Sequence, residues 1–203
     1  MAVEYDHPQK EDLNLQCREP TLEDLVTLCG WLNAEQAHYV VVGGFAIRAA
    51  GYNRNTMDVD LLIETGAENE GRVFRALSHL PDNAIAGGRP GEVEEIGVLR
   101  VADDYMVDLM KSGCGVTYAD AIRDAVVETL NGVAIPFASP PVLWRMKQTL
   151  REKDIPDKIF LRQWAEKFDV QLDPPSQPST PTADSWLVRL ARWIEHLFNH
   201  KNS

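Results

Sequence analysis

The chain has few cysteines and no long apolar run. Cys17, Cys29 and Cys114 are its only cysteines in 203 residues, and this odd number at no metal-ligand spacing indicates reduced thiols. No segment approaches the roughly 18 uninterrupted apolar residues of a membrane-spanning helix. The acidic N-terminus also lacks the apolar core of a signal peptide. We therefore expect a cytoplasmic protein that does not enter a membrane.

Basic residues are also scarce. The chain has 20 Lys and Arg against 31 Asp and Glu, a formal net charge of −11. Such a surface repels phosphate backbones, which excludes broad, non-specific nucleic-acid binding but leaves room for a local basic groove. This composition is compatible with a cluster of carboxylates that holds a divalent metal.

Composition and length predict a globular chain with appendages. Hydrophobic residues make up 44% and charged residues 25%, which is ordinary for a folded domain. We expect a loosely ordered arm over 1–20, a domain over 21–170, a Pro/Ser/Thr linker over 171–183 and an amphipathic helix over 184–203. The apolar face of that last helix predicts docking on protein, either in self-association or on a partner, and not on a membrane.

Hydrophobic periodicity predicts an α/β (α+β) fold with a small mixed sheet flanked by helices and a helical C-terminal half. Thr21 marks the start of the first helix. The predicted strands are 38–42, 57–63, 97–102, 105–110 and 133–137, with Asp103-Asp104 as a hairpin turn. The later predicted helices are 45–50, 68–80, 118–130, 142–153 and 156–168.

Three aspartates carry the most specific chemical signal. Asp58 and Asp60 alternate on a predicted strand, so both side chains lie on the same face. Asp108 lies among apolar residues on another strand, where an unpaired charge is costly. Adjacent carboxylates repel unless a cation lies between them, and oxygen ligands suit Mg²⁺ or Mn²⁺. An alternative that stays open is that Asp108 is a half-buried acid paired with an arginine.

A glycine pair precedes these acids at a characteristic spacing. Gly43-Gly44 ends an apolar strand, and 13 residues separate it from Asp58-Val59-Asp60. This arrangement resembles the polymerase-β-type nucleotidyltransferase superfamily. The resemblance implies the nucleotidyltransferase fold, with Gly43 and Gly44 at the phosphates and with Asp58, Asp60 and Asp108 as metal-binding catalytic acids.

A second motif narrows the resemblance to one branch. The string Met146-Lys147, Arg151, Lys153-Asp154 and Asp157 is similar to the AbiE-type toxin and minimal nucleotidyltransferase branch. Lys147 and Arg151 are spaced as i and i+4, so a helix here would direct both cations towards a triphosphate. The resemblance adds Arg54 and Thr56, from an Arg-x-Thr-x-Asp pattern, to the nucleotide-binding residues. Asp154 or Asp157 has the alternative role of charging the first turn of the next helix.

The resemblance implies an enzyme that moves a nucleoside monophosphate from an NTP such as ATP to an acceptor hydroxyl. The toxin-like motif favours tRNA or protein as the acceptor and a cognate antitoxin as a partner. Two alternatives remain open at this stage, which are an antibiotic or other small-molecule acceptor and a non-catalytic nucleotide- or partner-binding module of the same fold.

Overall fold

A six-stranded mixed sheet organises residues 17–173, the part of the chain that the computed structural model describes. The strand order is β3-β4-β2-β1-β8-β7. The strands are β1 (Tyr39–Val41), β2 (Asp58–Ile63), β3 (Val98–Ala102), β4 (Met106–Met110), β7 (Val126–Leu130) and β8 (Val133–Phe137). The short pair β5 (Ser112–Gly113) and β6 (Val116–Thr117) forms a separate two-stranded sheet.

Helices flank this sheet. They are α1 (Leu22–Ala34), α2 (Gly43–Ala49), α3 (Ala67–Leu77), α4 (Glu92–Ile96), α5 (Tyr118–Ile122), α6 (Pro140–Met146) and α7 (Ile155–Phe168), with 3₁₀ turns at Ala84–Gly87 and Glu152–Asp154. The predicted mixed α/β architecture is confirmed. Within residues 17–173, no helix combines the length and apolarity that crossing a membrane requires.

The first helix begins as its sequence predicts. Thr21 and Asp24 form a reciprocal capping box at the N-terminus of α1, which satisfies two backbone N–H groups that the helix leaves free. Arg18, at the end of the predicted arm, is held by ion pairs to Asp24 and Asp104. The rest of that arm (1–16), most of the predicted linker and the predicted helix over 184–203 lie outside the described residues.

Strand β2 separates the apolar core from a polar face. Val59 and Leu61 are completely buried, whereas Asp58 and Asp60 alternate with them and are half-buried. Helix α2 packs against β2 and against α6. The alternation therefore directs the acids away from the core and towards the space beside α2 and α6.

The helix predicted over 118–130 is wrong beyond Ile122. Residues Val126–Leu130 form strand β7, which pairs antiparallel with β8. The turn between the two strands is Asn131-Gly132, with φ of 50° and 81°, and an Asn-Gly pair with two positive φ angles is the preferred two-residue hairpin turn. This hairpin therefore extends the sheet where part of a helix was expected.

The helix predicted over 142–153 is also too long. Helix α6 ends at Met146, and Lys147 is its C-terminal cap. The chain then continues in irregular backbone to the 3₁₀ turn at Glu152–Asp154. At this early end of the helix, Lys147 contacts Asp154 and Asp157.

Candidate active site

The strand register brings the three predicted acids together. Strands β2 and β4 run parallel, and Asp60 lies directly opposite Asp108. Asp58 lies two residues before Asp60 on the same face of β2. One carboxylate oxygen from each of the three lies within 4.8 Å of the other two.

The glycine pair allows the start of α2 to lie against these acids. Gly43 has a φ of 60°, and a Cβ built there would overlap the Asp60 carboxylate. A Cβ at Gly44 would overlap Thr56. Thr56 in turn donates from its hydroxyl to the backbone oxygen of Asp58 at 3.1 Å. Any larger residue at either glycine would therefore displace the side chains that shape the acidic cluster.

The electrostatics of the cluster favour a cation. Burial, followed by the neighbouring charges of Asp58 and Asp108, raises the pKa of Asp60 to about 7. A divalent cation between the carboxylates would relieve the same repulsion, and three oxygen donors within 4.8 Å match the ligand preference of Mg²⁺ or Mn²⁺. The donor set therefore fits such an ion, with Asp58, Asp60 and Asp108 as the residues able to hold it.

Arg100 binds the third acid from its other side. Its Nε and one terminal nitrogen donate to the two oxygens of Asp108 at 2.7 and 2.5 Å. The two residues are direct partners across the antiparallel β3–β4 pair. Asp108 is thus both a member of the acidic cluster and the arginine-paired acid of the alternative reading.

A second, buried group of charges lies beside the cluster, where α7 begins. Asp154 and Asp157 are 1% and 0% exposed, and Lys147 places its ammonium 2.9 Å from each. Arg151 contacts Asp154 at 3.0 Å, and the Nε of Arg54 lies 3.6 Å from Asp157. The two aspartates therefore do more than charge the first turn of α7, since they hold three cations in place.

This buried group corrects the expected geometry of Lys147 and Arg151. The two residues do not lie along one helix face, because the chain leaves α6 at Met146. Thr149 also donates its hydroxyl to Asp154, which draws the connecting segment towards the buried carboxylate. The second motif nevertheless identified residues that come together, since Lys147 and Arg151 both contact Asp154.

Both charge groups face one cleft of about 250 Å³. Every residue predicted for the site lines this cleft except Gly44 and Thr56, which lie directly behind Gly43 and Asp58. Its apolar wall includes Val98, Met110 and Met146. The cleft therefore offers carboxylates, cations and an apolar surface to one ligand.

Sequence reasoning did not include Lys153 or Arg100 among the site residues. Lys153 lines the cleft, is exposed and makes no ion pair with any other residue between 17 and 173. Its position beside Asp154 in the second motif was the available signal. Arg100 alternates with Val98 on a hairpin strand, and its pairing with Asp108 follows only from the register of that hairpin.

No family model matches the chain, and neither does any curated protein. Several solved structures resemble it. An antigenic nucleotidyltransferase-like protein from Paracoccidioides brasiliensis is 16% identical, with a TM-score of 0.46 over 92% of this chain and 89% of that one. The enzyme ANT(2″)-Ia in complex with adenylyl-2″-tobramycin is 18% identical, with a TM-score of 0.43 over 71% and 92%.

A solution structure of the antibiotic-resistance factor ANT(2″)-Ia is 15% identical, with a TM-score of 0.43 over 89% of this chain and 100% of that one. At these identities none of these structures assigns an activity to this chain. The AbiE-type branch that the sequence resembles stays a prediction.

The raised pKa of Asp60 predicts that this acid destabilises the metal-free protein at high pH. The folded-state pKa of Asp60 lies above its unfolded value, so the folded state binds more protons at pH values between the two. The free energy of unfolding therefore falls as pH rises from about 4 to about 7. Asp60→Asn should therefore raise the Tm in EDTA at pH 8, with a gain that shrinks towards pH 4. Thermal unfolding across this range measures it. The exposed Asp124→Asn is the control, and a gain independent of pH would contradict the assignment.

The buried charge group predicts unequal roles for two neighbouring lysines. Lys147→Met leaves Asp154 and Asp157 short of their shared cation, which should cost about 3–5 kcal/mol of unfolding free energy. Lys153→Met removes an exposed ammonium without an ion-pair partner in residues 17–173, so its effect should stay within about 0.5 kcal/mol. Urea unfolding of both variants makes the comparison. Equal losses would show that Lys147 has no special structural role.

Proposed function

We propose that this protein is a metal-dependent nucleotidyltransferase that moves a nucleoside monophosphate from an NTP to an acceptor hydroxyl and releases pyrophosphate. The observation that carries the proposal is the cluster of Asp58, Asp60 and Asp108 within 4.8 Å, placed against a glycine turn and facing a cleft lined with cations. Acids, a close backbone approach and cations in one cleft are what phosphoryl transfer from a triphosphate needs.

The residues of the chain divide the work by position. Asp58 and Asp60 hold the divalent cation, which when bound offsets charge on the phosphates and polarises the α-phosphorus. Gly43 presents a backbone N–H group of the first turn of α2 to phosphate oxygens, and Gly44 behind it allows Thr56 and Arg54 to pack against that turn. Arg54 and Thr56 shape the same wall of the cleft, beneath Gly44.

The remaining polar residues orient the two reactants. Asp108 accepts a hydrogen bond from the attacking hydroxyl and aligns it with the α-phosphorus. The new oxygen–phosphorus bond forms as the bond to the leaving pyrophosphate breaks, and the hydroxyl proton passes to Asp108 and from there to solvent. Lys153 and the exposed end of Arg151 contact the triphosphate, while Lys147 holds the wall behind them through its buried carboxylates.

The acceptor we propose is a macromolecule, tRNA or protein, as the toxin-like motif implies. The size of the cleft supports this choice. Its volume of about 250 Å³ lies below the range of roughly 300–1,000 Å³ that is usual for ligand pockets. A cleft of this size leaves little room for a whole small-molecule acceptor beside an NTP, whereas a macromolecular acceptor would need to bring only its reactive end to the cleft. A cognate antitoxin would be the natural protein partner of such an enzyme.

The proposal predicts transfer of label from an α-³²P-labelled NTP. The purified protein is incubated with each of the NTPs, Mg²⁺ or Mn²⁺, and either total RNA or lysate protein as acceptor. We expect label on a discrete RNA or protein band, and its loss to background in Asp58→Asn, because the metal ligand is removed with little change in shape. Asp124→Asn, an exposed aspartate away from the cleft, is the matched control.

Other results of the same assay would redirect the proposal. Label that appears only on an added aminoglycoside or another small hydroxyl compound would contradict the macromolecular acceptor and retain the transfer reaction. No label on any acceptor, with NTP still bound, would overturn catalysis in favour of a binding module.

From the position of Lys153 we predict that it lowers the KM for the NTP. Because it is the exposed cleft cation without an ion pair within 17–173, Lys153→Met should raise the KM for the NTP about tenfold, the equivalent of about 1.4 kcal/mol, with a smaller change in kcat. Initial rates over a range of NTP concentrations measure both constants. Lys167→Met, which removes a lysine placed over Phe168 on α7, is the control. An unchanged KM would remove Lys153 from the nucleotide site.

A further inference from the structure

Arg100 and Asp108 form the tightest ion pair that faces the cleft. Two guanidinium nitrogens contact both carboxylate oxygens at 2.7 and 2.5 Å, and the side chains are only 22% and 9% exposed. An arginine does not lose its proton in proteins, and its planar donors match a carboxylate in this two-point arrangement. Arg100 is therefore a permanent positive charge on the third acid.

The strand order gives this charge a defined place. Across β3, β4 and β2, the residues Arg100, Asp108 and Asp60 are direct neighbours in register. Asp108 thus has a guanidinium on one side and the carboxylate of Asp60 on the other. A second cation that ligated Asp108 would have to share the oxygens that Arg100 already contacts.

Charge compensation also disfavours a second cation at Asp108. When all three acids are ionised they carry −3 together, and Arg100 reduces this to −2, which one divalent cation balances. Without Arg100, one divalent cation would leave the cluster with −1, and a second cation would be attracted to Asp108. The cations of the buried group lie near the same cleft and oppose further positive charge there.

We propose that Arg100 limits the nucleotide-free site to one divalent cation, bound by Asp58 and Asp60, and that its guanidinium takes the place of a second cation at Asp108. This inference rests on the proposed function, since it concerns the same metal site. Arg100 is a positioning residue in this role. It fixes the Asp108 carboxylate so that the oxygen lone pairs not used by the guanidinium face the acceptor hydroxyl.

The number of bound ions tests the proposal without nucleotide and without activity. Metal-free protein is titrated with Mn²⁺, and free Mn²⁺ is followed by its electron paramagnetic resonance signal. We expect one bound ion per chain in the wild type and in Arg100→Lys, which keeps the charge. Arg100→Met should bind a second ion with a dissociation constant within about tenfold of the first, and the double variant Arg100→Met/Asp108→Asn should return to one.

Each alternative result has a defined meaning. Two ions in the wild type, or one ion in a folded Arg100→Met variant with an unchanged circular dichroism spectrum, would overturn the role of Arg100. If label transfer is observed alongside either result, the proposed function stands and only this inference falls. No Mn²⁺ bound to the nucleotide-free wild type would overturn this inference, whereas the proposed function falls only if label transfer is absent.

Discussion

Mutual repulsion among three carboxylates is the constraint on which the rest of this structure depends. Asp58, Asp60 and Asp108 have oxygens within 4.8 Å of one another, and like charges at such a distance are unfavourable unless neighbours offset them. The parallel register of β2 and β4 imposes this distance, and the apolar side of β2 stabilises it because Val59 and Leu61 are completely buried. The fold thus maintains an arrangement that the acids alone would not adopt.

Two different devices offset the charge in the cleft. Arg100 neutralises Asp108 at the cluster itself, through a pair of short charge-assisted hydrogen bonds. In the wall of the cleft beside the cluster, Asp154 and Asp157 hold Lys147, Arg151 and Arg54 in place. Three cations against two carboxylates leave this wall with a net positive charge before any ligand arrives. A wall held in this way loses little conformational freedom when phosphate binds, which is the physical meaning of preorganisation.

Local patterns predicted the acids well and the cations less well. Alternation on one strand placed Asp58 and Asp60 on a shared face, and apolar flanks placed Asp108 on a second strand, because both patterns are set by neighbours in the chain. The partners of Lys147 and Arg100 lie close to them in the chain. Their contacts nevertheless depend on where α6 ends and on the register of the β3–β4 hairpin, and hydrophobic periodicity fixes neither. The helix predicted over 118–130 was wrong although the sequence contains the opposite signal. Asn131-Gly132 is typical of a hairpin turn, and Val126-Val127 favour a strand.

The net charge of −11 is compatible with the phosphate-bearing substrate that we propose, because exposed cations lie at the cleft. Repulsion between exposed charges weakens over about 8–10 Å in physiological salt, so the exposed Arg151 and Lys153 can attract a phosphate group at the cleft although the chain is acidic as a whole. The net charge argues mildly against an extended nucleic-acid footprint, but it does not oppose the entry of a single terminus into the cleft.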